Sequence, residues 1–296
     1  MAQEAVGLPP PRDAALIAVA VAAVSTSGPL IAATAAPALA IAAWRNLMAG
    51  GVLLPVALFR RWRELRTMNW RLSLLSGALL AGHFAAWVPS VTLTSVASST
   101  ALVATQPVWA ALLARAAGRQ VPRRVWVGIL VAVAGAALVT GADLSLSSRA
   151  VTGDLLAVLG GVLAAAYVTA GAAVRETVST TAYTTVCYGS CALLLVLVCL
   201  LAGQPLTGYP AGTWVKLAAL TAGAQLLGHS LVNVVLRTTS PTVVSLAILF
   251  EAPGAAIIAA VWLDQLPPLS AVPGIVVLLA GLALVIRSGG RAVPVD

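Results

Sequence analysis

Ten apolar stretches make up most of this 296-residue chain, and each is long enough to cross a bilayer. An α-helix needs about 20 apolar residues to span the hydrocarbon core. Only 9% of the residues are charged, against about 25% in soluble domains, so the apolar surface must face lipid. The sequence therefore predicts an all-α membrane protein of ten transmembrane helices. The predicted spans are 14–35, 38–59, 72–93, 95–114, 124–142, 153–174, 180–202, 212–236, 241–263 and 269–286.

The connections between these spans are short, which makes neighbouring helices antiparallel and leaves no room for a soluble domain or a catalytic loop. The first stretch is interpreted as a helix rather than a cleaved signal peptide, because its length is near that of a span. Cys187, Cys191 and Cys199 all fall in one span, which excludes a disulfide framework. No His, Asp or Glu lies close to them to complete a metal site. We expect no enzyme, no cofactor and no metal.

The distribution of basic residues sets the orientation. With a cytoplasmic N-terminus, 14 of the 17 Lys and Arg residues fall on the cytoplasmic side, Arg149 and Lys216 fall outside, and Arg45 lies within a span. This positive-inside bias predicts a multi-pass protein of the inner (cytoplasmic) membrane with both termini in the cytoplasm. The placement of the charges therefore matters more than the net charge of +8, and the lipid bilayer rather than a nucleic acid is the expected partner.

The chain resembles itself at an offset of 146 residues. Each predicted half, 1–146 and 147–296, holds five spans, and an odd number inverts the second half relative to the first. Inverted repeats are an architecture of alternating access, with a binding site near the midplane. The matched pairs include Gly77/Gly223, Gly82/Gly228, His83/His229, Ser99/Ser245, Pro107/Pro253, Gly128/Gly274 and Gly135/Gly281.

Three motifs carry a family resemblance over essentially the whole chain. They are Pro37 with Trp44-Arg45, Gly153-Asp154 with Tyr167, and the run from Gly223 to Glu251-Ala-Pro253. In this order and spacing they resemble the EamA group of the drug/metabolite transporter superfamily. The resemblance implies ten helices, cytoplasmic termini and export of amino acids or related metabolites.

The chain departs from the pattern of that group at two loops. Many members have a Gly-Glu pair after the fourth and ninth spans. This chain has Gly118-Arg119 and Asp264-Gln265 there. Whether a loop contact equivalent to that of the glutamate forms here is left open by the sequence.

Two charged residues within spans are candidates for the binding site. Ionisable groups at membrane depth cost about 2.5–3.5 kcal/mol on insertion scales, so each needs a partner or a function. Arg45 is interpreted either as a fixed cation for a substrate carboxylate or as half of a structural ion pair with Glu251. Glu251 precedes Pro253 and is predicted to carry a coupling proton, unless it belongs to that ion pair or to a hydrogen bond between helices.

The two histidines of the chain, His83 and His229, are predicted at similar depth in the two halves, either lining a central cavity or bonding a neighbouring helix. A metal site between them is the weaker interpretation, because two His and one Glu would have to converge. Four further side chains would add an aromatic and amide lining or serve only in packing. These are Trp87, Tyr167, Gln225 and Asn233.

A secondary transporter of small metabolites such as amino acids is the predicted function. Export by alternating access is expected, either coupled to protons or as an uncoupled facilitator. A channel or sensor and an intramembrane enzyme are the alternatives, but the chain offers no clustered nucleophile and base. The small multidrug exporters use a glutamate in their first helix, and the first span here has no acid. Drug antiport by that route is not predicted.

Overall fold

The computed structural model describes residues 9–144, 147–228, 231, 234, 235, 244 and 247–289, and within these residues the regular secondary structure is helical and contains no strand. The helices, in chain order, are α1 Pro11–Ser25, α2 Ser27–Ala33, α3 Ala38–Arg60, α4 Trp62–Thr67, α5 Trp70–Leu93, α6 Val96–Val103, α7 Gln106–Ala116, α8 Arg123–Leu144, α9 Ser148–Arg175, α10 Thr180–Leu201, α11 Ala211–Leu220, α12 Glu251–Leu263 and α13 Val272–Gly289. A π-helical segment, Thr221–Gly228, directly continues α11.

Seven helical stretches of the described chain are long and apolar enough to cross a membrane, and α12 and α13 are shorter apolar helices. The seven correspond to the first seven predicted spans. Parts of the eighth and ninth predicted spans lie outside the described residues. The protein is therefore a multi-pass, all-helical membrane protein over the residues described.

The first and fourth predicted spans are each divided into two helices in the structure. The first divides at Thr26 between α1 and α2, and the fourth divides at Ala104 and Thr105 between α6 and α7. Pro29 and Pro107 lie in the first turns of the helices that restart. Proline has no backbone N–H and suits a first turn, where no N–H is needed. A hydropathy pattern alone does not register such a break.

Close contact between α8 and α13 depends on four glycines. An added Cβ at Gly128 would lie 3.0 Å from the Gly281 carbonyl oxygen, and one at Gly281 would lie 2.9 Å from that of Gly128. An added Cβ at Gly135 would lie 2.9 Å from the Gly274 carbonyl oxygen. Small residues let the backbones of membrane helices approach this closely. These glycines are related by the 146-residue offset, and such reciprocal contacts are typical of a two-fold axis.

A second group of close contacts holds α5 between α9 and α10. An added Cβ at Gly160 of α9 would meet the Trp87 Cβ at 3.1 Å, and one at Gly77 of α5 would meet the Cys187 carbonyl oxygen at 2.8 Å. The Ser76 hydroxyl lies 2.5 Å from the Tyr183 hydroxyl, so a polar contact crosses the same interface. This packing fixes α5, which carries His83, Phe84 and Trp87.

Candidate functional site

A cavity of about 250 Å³ lies between the two halves of the chain. Its walls come from helices of both halves, which matches the general position of a transporter binding site at a repeat interface. Five of the predicted site residues line it. These are Arg45, His83, Trp87, Tyr167 and Glu251.

Arg45 lies on α3 and is only 2% exposed. Its Nε donates to Gln225 Oε1 at 2.7 Å, and its Nη1 donates to the Ser27 hydroxyl at 3.4 Å. The guanidinium carbon lies 4.5 Å from the centre of the Phe84 ring, a cation–π distance. The cation is therefore held by neutral groups, and its charge is not cancelled by these contacts.

A chain of hydrogen bonds through the side-chain amides of Gln225 and Asn46 orients Arg45. Gln225 Nε2 donates to Asn46 Oδ1 at 3.1 Å, and Asn46 Nδ2 donates to the Ala42 carbonyl oxygen at 2.9 Å. These bonds fix which end of the Gln225 amide faces Arg45. Gln225 is buried and does not line the cavity, so its place differs from the predicted lining role. It lies in the π-helical segment, a type of irregularity frequent at functional sites.

Glu251 is the first residue of α12 and lines the cavity that Arg45 lines. No ion pair within 4.0 Å joins these two residues; the ion pair found among the described residues is Arg61 with Glu64. The structural ion pair considered for Arg45 and Glu251 is therefore not formed. A cation and a carboxylate instead share one cavity without neutralising each other by direct contact.

An aromatic wall surrounds His83. Its Nδ1 donates to the Gly160 carbonyl oxygen at 2.9 Å, so this nitrogen carries a proton. The imidazole stacks on Trp87 with ring centres 5.7 Å apart, and the Tyr167 ring lies 6.3 Å away. His83 thus both lines the cavity and bonds a neighbouring helix, the two roles that the sequence left as alternatives.

Two predicted site residues, His229 and Asn233, lie outside the described residues. The symmetric placement of His83 and His229 therefore stays a prediction.

Two buried donors on the cavity wall have no hydrogen-bond partner within the described part of the chain. They are Trp87 Nε1, on a residue 5% exposed, and the Thr100 hydroxyl, on a residue 2% exposed. Buried polar groups are nearly always hydrogen-bonded in native structures. Both residues line the cavity, but the two donor atoms are themselves covered by protein and do not open into it in this conformation.

Sequence reasoning missed four residues that shape this site. Ser27 and Asn46 contact Arg45 directly or through Gln225, while Phe84 and Thr100 form part of the wall. One signal was available for Ser27, because it lies two residues before Pro29, where the first span breaks. Phe84 and Thr100 are ordinary residues of apolar spans and carry no such signal.

The two halves of the chain each match one family model, EamA-like transporter family, over residues 14–141 and again over 151–287. The chain belongs to the EamA-like transporter family. This confirms the resemblance to the EamA group and identifies a membrane transporter whose two halves each match the family. A comparison with curated proteins finds no match.

Solved structures support the fold of this EamA-like transporter. Sixteen chains of known structure match it. One, described simply as the crystal structure of a protein, has a TM-score of 0.65 at 19% identity and covers 93% of this chain and 96% of its own. At that identity the likeness shows the fold alone.

Proposed function

We propose that this transporter exports small metabolites with a carboxylate, of which amino acids are the leading class, by alternating access across the cytoplasmic membrane. The observation that supports this most strongly is the pair of opposite charges, Arg45 and Glu251, which line one cavity without an ion pair between them. An amino acid carries the complementary pair. Its carboxylate fits the guanidinium and its ammonium fits the Glu251 carboxylate.

The size and lining of the cavity support a small substrate. At about 250 Å³ it lies below the ~300–1,000 Å³ typical of pockets for drug-sized ligands. His83, Trp87 and Tyr167 provide an aromatic wall for an apolar side chain.

Flux measurements test the substrate class. The purified protein in sealed liposomes is loaded with one labelled amino acid at a time, and its efflux is compared with that of the matching amine and the matching carboxylic acid. We expect efflux of zwitterions or acids and none of the amine. Efflux of the amine alone would contradict a binding role for the Arg45 cation.

Glu251 is proposed to carry a coupling proton. A carboxylate that lines the cavity without a direct counter-ion can release or take up a proton as access alternates. We expect Glu251→Gln to remain folded, to exchange substrate at equal pH more slowly than the wild type because the contact to the substrate ammonium is weakened, and to lose the acceleration of flux by a pH gradient. The measurement compares efflux with and without the gradient.

Two results would alter the coupling proposal. A gradient response that survives in Glu251→Gln would contradict it. A wild-type protein without any gradient response would instead favour the uncoupled facilitator. Asp264→Asn, which changes an acid at the far end of α12 outside the cavity lining, serves as the matched control.

Both termini are proposed to lie in the cytoplasm, from the bias of 14 basic residues against two. Single cysteines appended to each end of a variant lacking the three native cysteines should react with an impermeant thiol reagent only after the cells are opened. Labelling of either end in intact cells would contradict this orientation.

A further inference from the structure

An apolar groove of about 530 Å³ opens on the lipid-facing surface between α3, α4, α5 and α10. Its walls include Leu58, Leu193 and two tryptophans, Trp62 and Trp70. The floor contains Gly189, where an added Cβ would meet nothing within 4 Å. Along α10 the lining runs from Thr185 to Leu193, a rise of ~12 Å at 1.5 Å per residue. The groove is thus long, apolar and accessible from the lipid side.

One end of this groove is strongly basic. The segment from Arg60 to Arg71 holds five arginines and a single acid, Glu64. Both carboxylate oxygens of Glu64 already have a partner: Oε2 accepts from the Ser179 backbone N–H at 2.6 Å, and Oε1 lies 3.1 Å from Arg61 Nη1. The bonds from Ser179, with the nearby Arg61, hold the pKa of the Glu64 carboxyl below its usual value. It therefore stays charged and bound at neutral pH.

Four arginines of the segment remain without an ion pair in the described chain. They are Arg60, Arg63, Arg66 and Arg71, and all four are exposed. Arg66 lines the groove, and Arg63 and Arg71 directly follow its lining residues Trp62 and Trp70 in the sequence.

The two tryptophans place the groove mouth at the membrane interface. Trp62 is 47% exposed and Trp70 is 46% exposed, and amphipathic rings of this kind are enriched at the level of the lipid headgroups. Trp70 Nε1 donates to the Leu65 carbonyl oxygen at 2.8 Å, and the Arg66 guanidinium carbon lies 5.1 Å from the Trp62 ring centre. Arg66 is thus held at headgroup depth, above the apolar part of the groove.

We propose that this groove binds an anionic phospholipid, with an acyl chain against Gly189 and the phosphate at Arg66 and its neighbouring arginines. The charge complementarity selects the headgroup, since clusters of basic residues beside a membrane helix attract anionic lipids. The apolar groove selects an acylated ligand over a free phosphate. The site is separate from the substrate cavity and does not depend on the transported metabolite.

A second groove on the same molecule provides an internal comparison. It lies between α1 and α12, has a volume of about 580 Å³ and is equally apolar, but no basic residue lines it. A lipid there would be held by its acyl chains alone. Of these two grooves, the one at α4 combines an apolar wall with an arginine that has no ion pair among the described residues, which predicts headgroup selectivity at that site.

Native mass spectrometry of the full-length protein tests the proposal, with phosphatidylglycerol and phosphatidylcholine of identical acyl chains added in turn. We expect retained adducts of phosphatidylglycerol and few of phosphatidylcholine. Arg66→Gln should weaken the phosphatidylglycerol adduct about fivefold, the effect of one basic residue near an anionic surface. Gly189→Leu should remove the adduct while every arginine remains.

Matched controls are available for both changes. Arg124→Gln removes an exposed arginine outside the groove lining, and Gly51→Leu adds the same side chain at another open helical glycine. Both should bind phosphatidylglycerol as the wild type does. Arg66 is exposed and unpaired, so its variant should fold even where Gly189→Leu does not.

Three outcomes would overturn the proposal. Equal retention of the two lipids would remove the headgroup selectivity. An unchanged adduct in Arg66→Gln would place the lipid elsewhere. If the deacylated headgroup glycerophosphoglycerol displaced the lipid at an equal concentration, the site would bind the phosphate alone and the acyl chains would not contribute.

Discussion

Arg45→Gln should lower amino-acid flux in proteoliposomes by at least about tenfold while folded protein remains in the membrane. Glutamine keeps polar atoms near Gln225 and Ser27 but removes the cation from the cavity. A hydrogen bond to a charged group contributes about 1.5–3 kcal/mol, so the loss of transport should be between about tenfold and about 150-fold. Efflux rate and the amount of monodisperse protein are measured on the same preparation.

The fold should tolerate this change because Arg45 and Glu251 form no ion pair. Removing one partner of a buried pair typically costs 3–5 kcal/mol, and that cost is not expected here. Arg45→Lys keeps the charge but loses the planar fork and the bond from Nε to Gln225. It should therefore transport with intermediate activity.

Arg124→Gln controls for the loss of a positive charge elsewhere on the protein. Full transport by Arg45→Gln would refute a binding role for Arg45. Loss of folded protein in both Arg45→Gln and Arg45→Lys would instead show that Arg45 is structural.

The sequence predicted the features of the fold that follow from a lipid environment. In lipid every backbone polar group must be paired within its own segment, so apolar length alone indicates a helix. For that reason α3, α5, α8, α9 and α10 begin and end within five residues of their predicted bounds. The breaks at Thr26 and at Ala104 were not predicted, because hydropathy does not change there.

The sequence identified the charged residues of the candidate site but not which residues contact them. Arg45 and Glu251 stand out since a charge in a span is costly, and both do line the cavity. The contacts of Arg45, however, join residues up to 180 positions apart in sequence. Which helix faces which is decided by packing, so neither Ser27 nor the amide chain through Asn46 could be deduced. The repeat register did identify the glycines through which α8 meets α13.

Gly135→Ala and Gly281→Ala should both strongly destabilise the protein, by similar amounts. An added methyl at Gly135 would lie 2.2 Å from the Leu278 backbone nitrogen, and one at Gly281 would lie 2.3 Å from that of Ala132. Neither obstacle is a flexible side chain, so the two helices must separate. Overpacking of this kind lowers the free energy of unfolding by about 1–3 kcal/mol. Because the added methyl keeps two helix backbones apart, we expect both variants to lie at the upper end of that range. Similar effects are expected because the two positions correspond at the 146-residue offset.

Thermal unfolding in detergent, followed by the fluorescence of the eight tryptophans, measures both changes. Gly189→Ala and Gly51→Ala are the matched controls, since an added Cβ meets nothing within 4 Å at either position. Alanine is favoured over glycine inside helices by up to ~1 kcal/mol, so these controls should melt at or above the wild-type temperature. A wild-type melting temperature in Gly135→Ala and Gly281→Ala would contradict the close α8–α13 interface. A large effect at only one of them would contradict its two-fold symmetry.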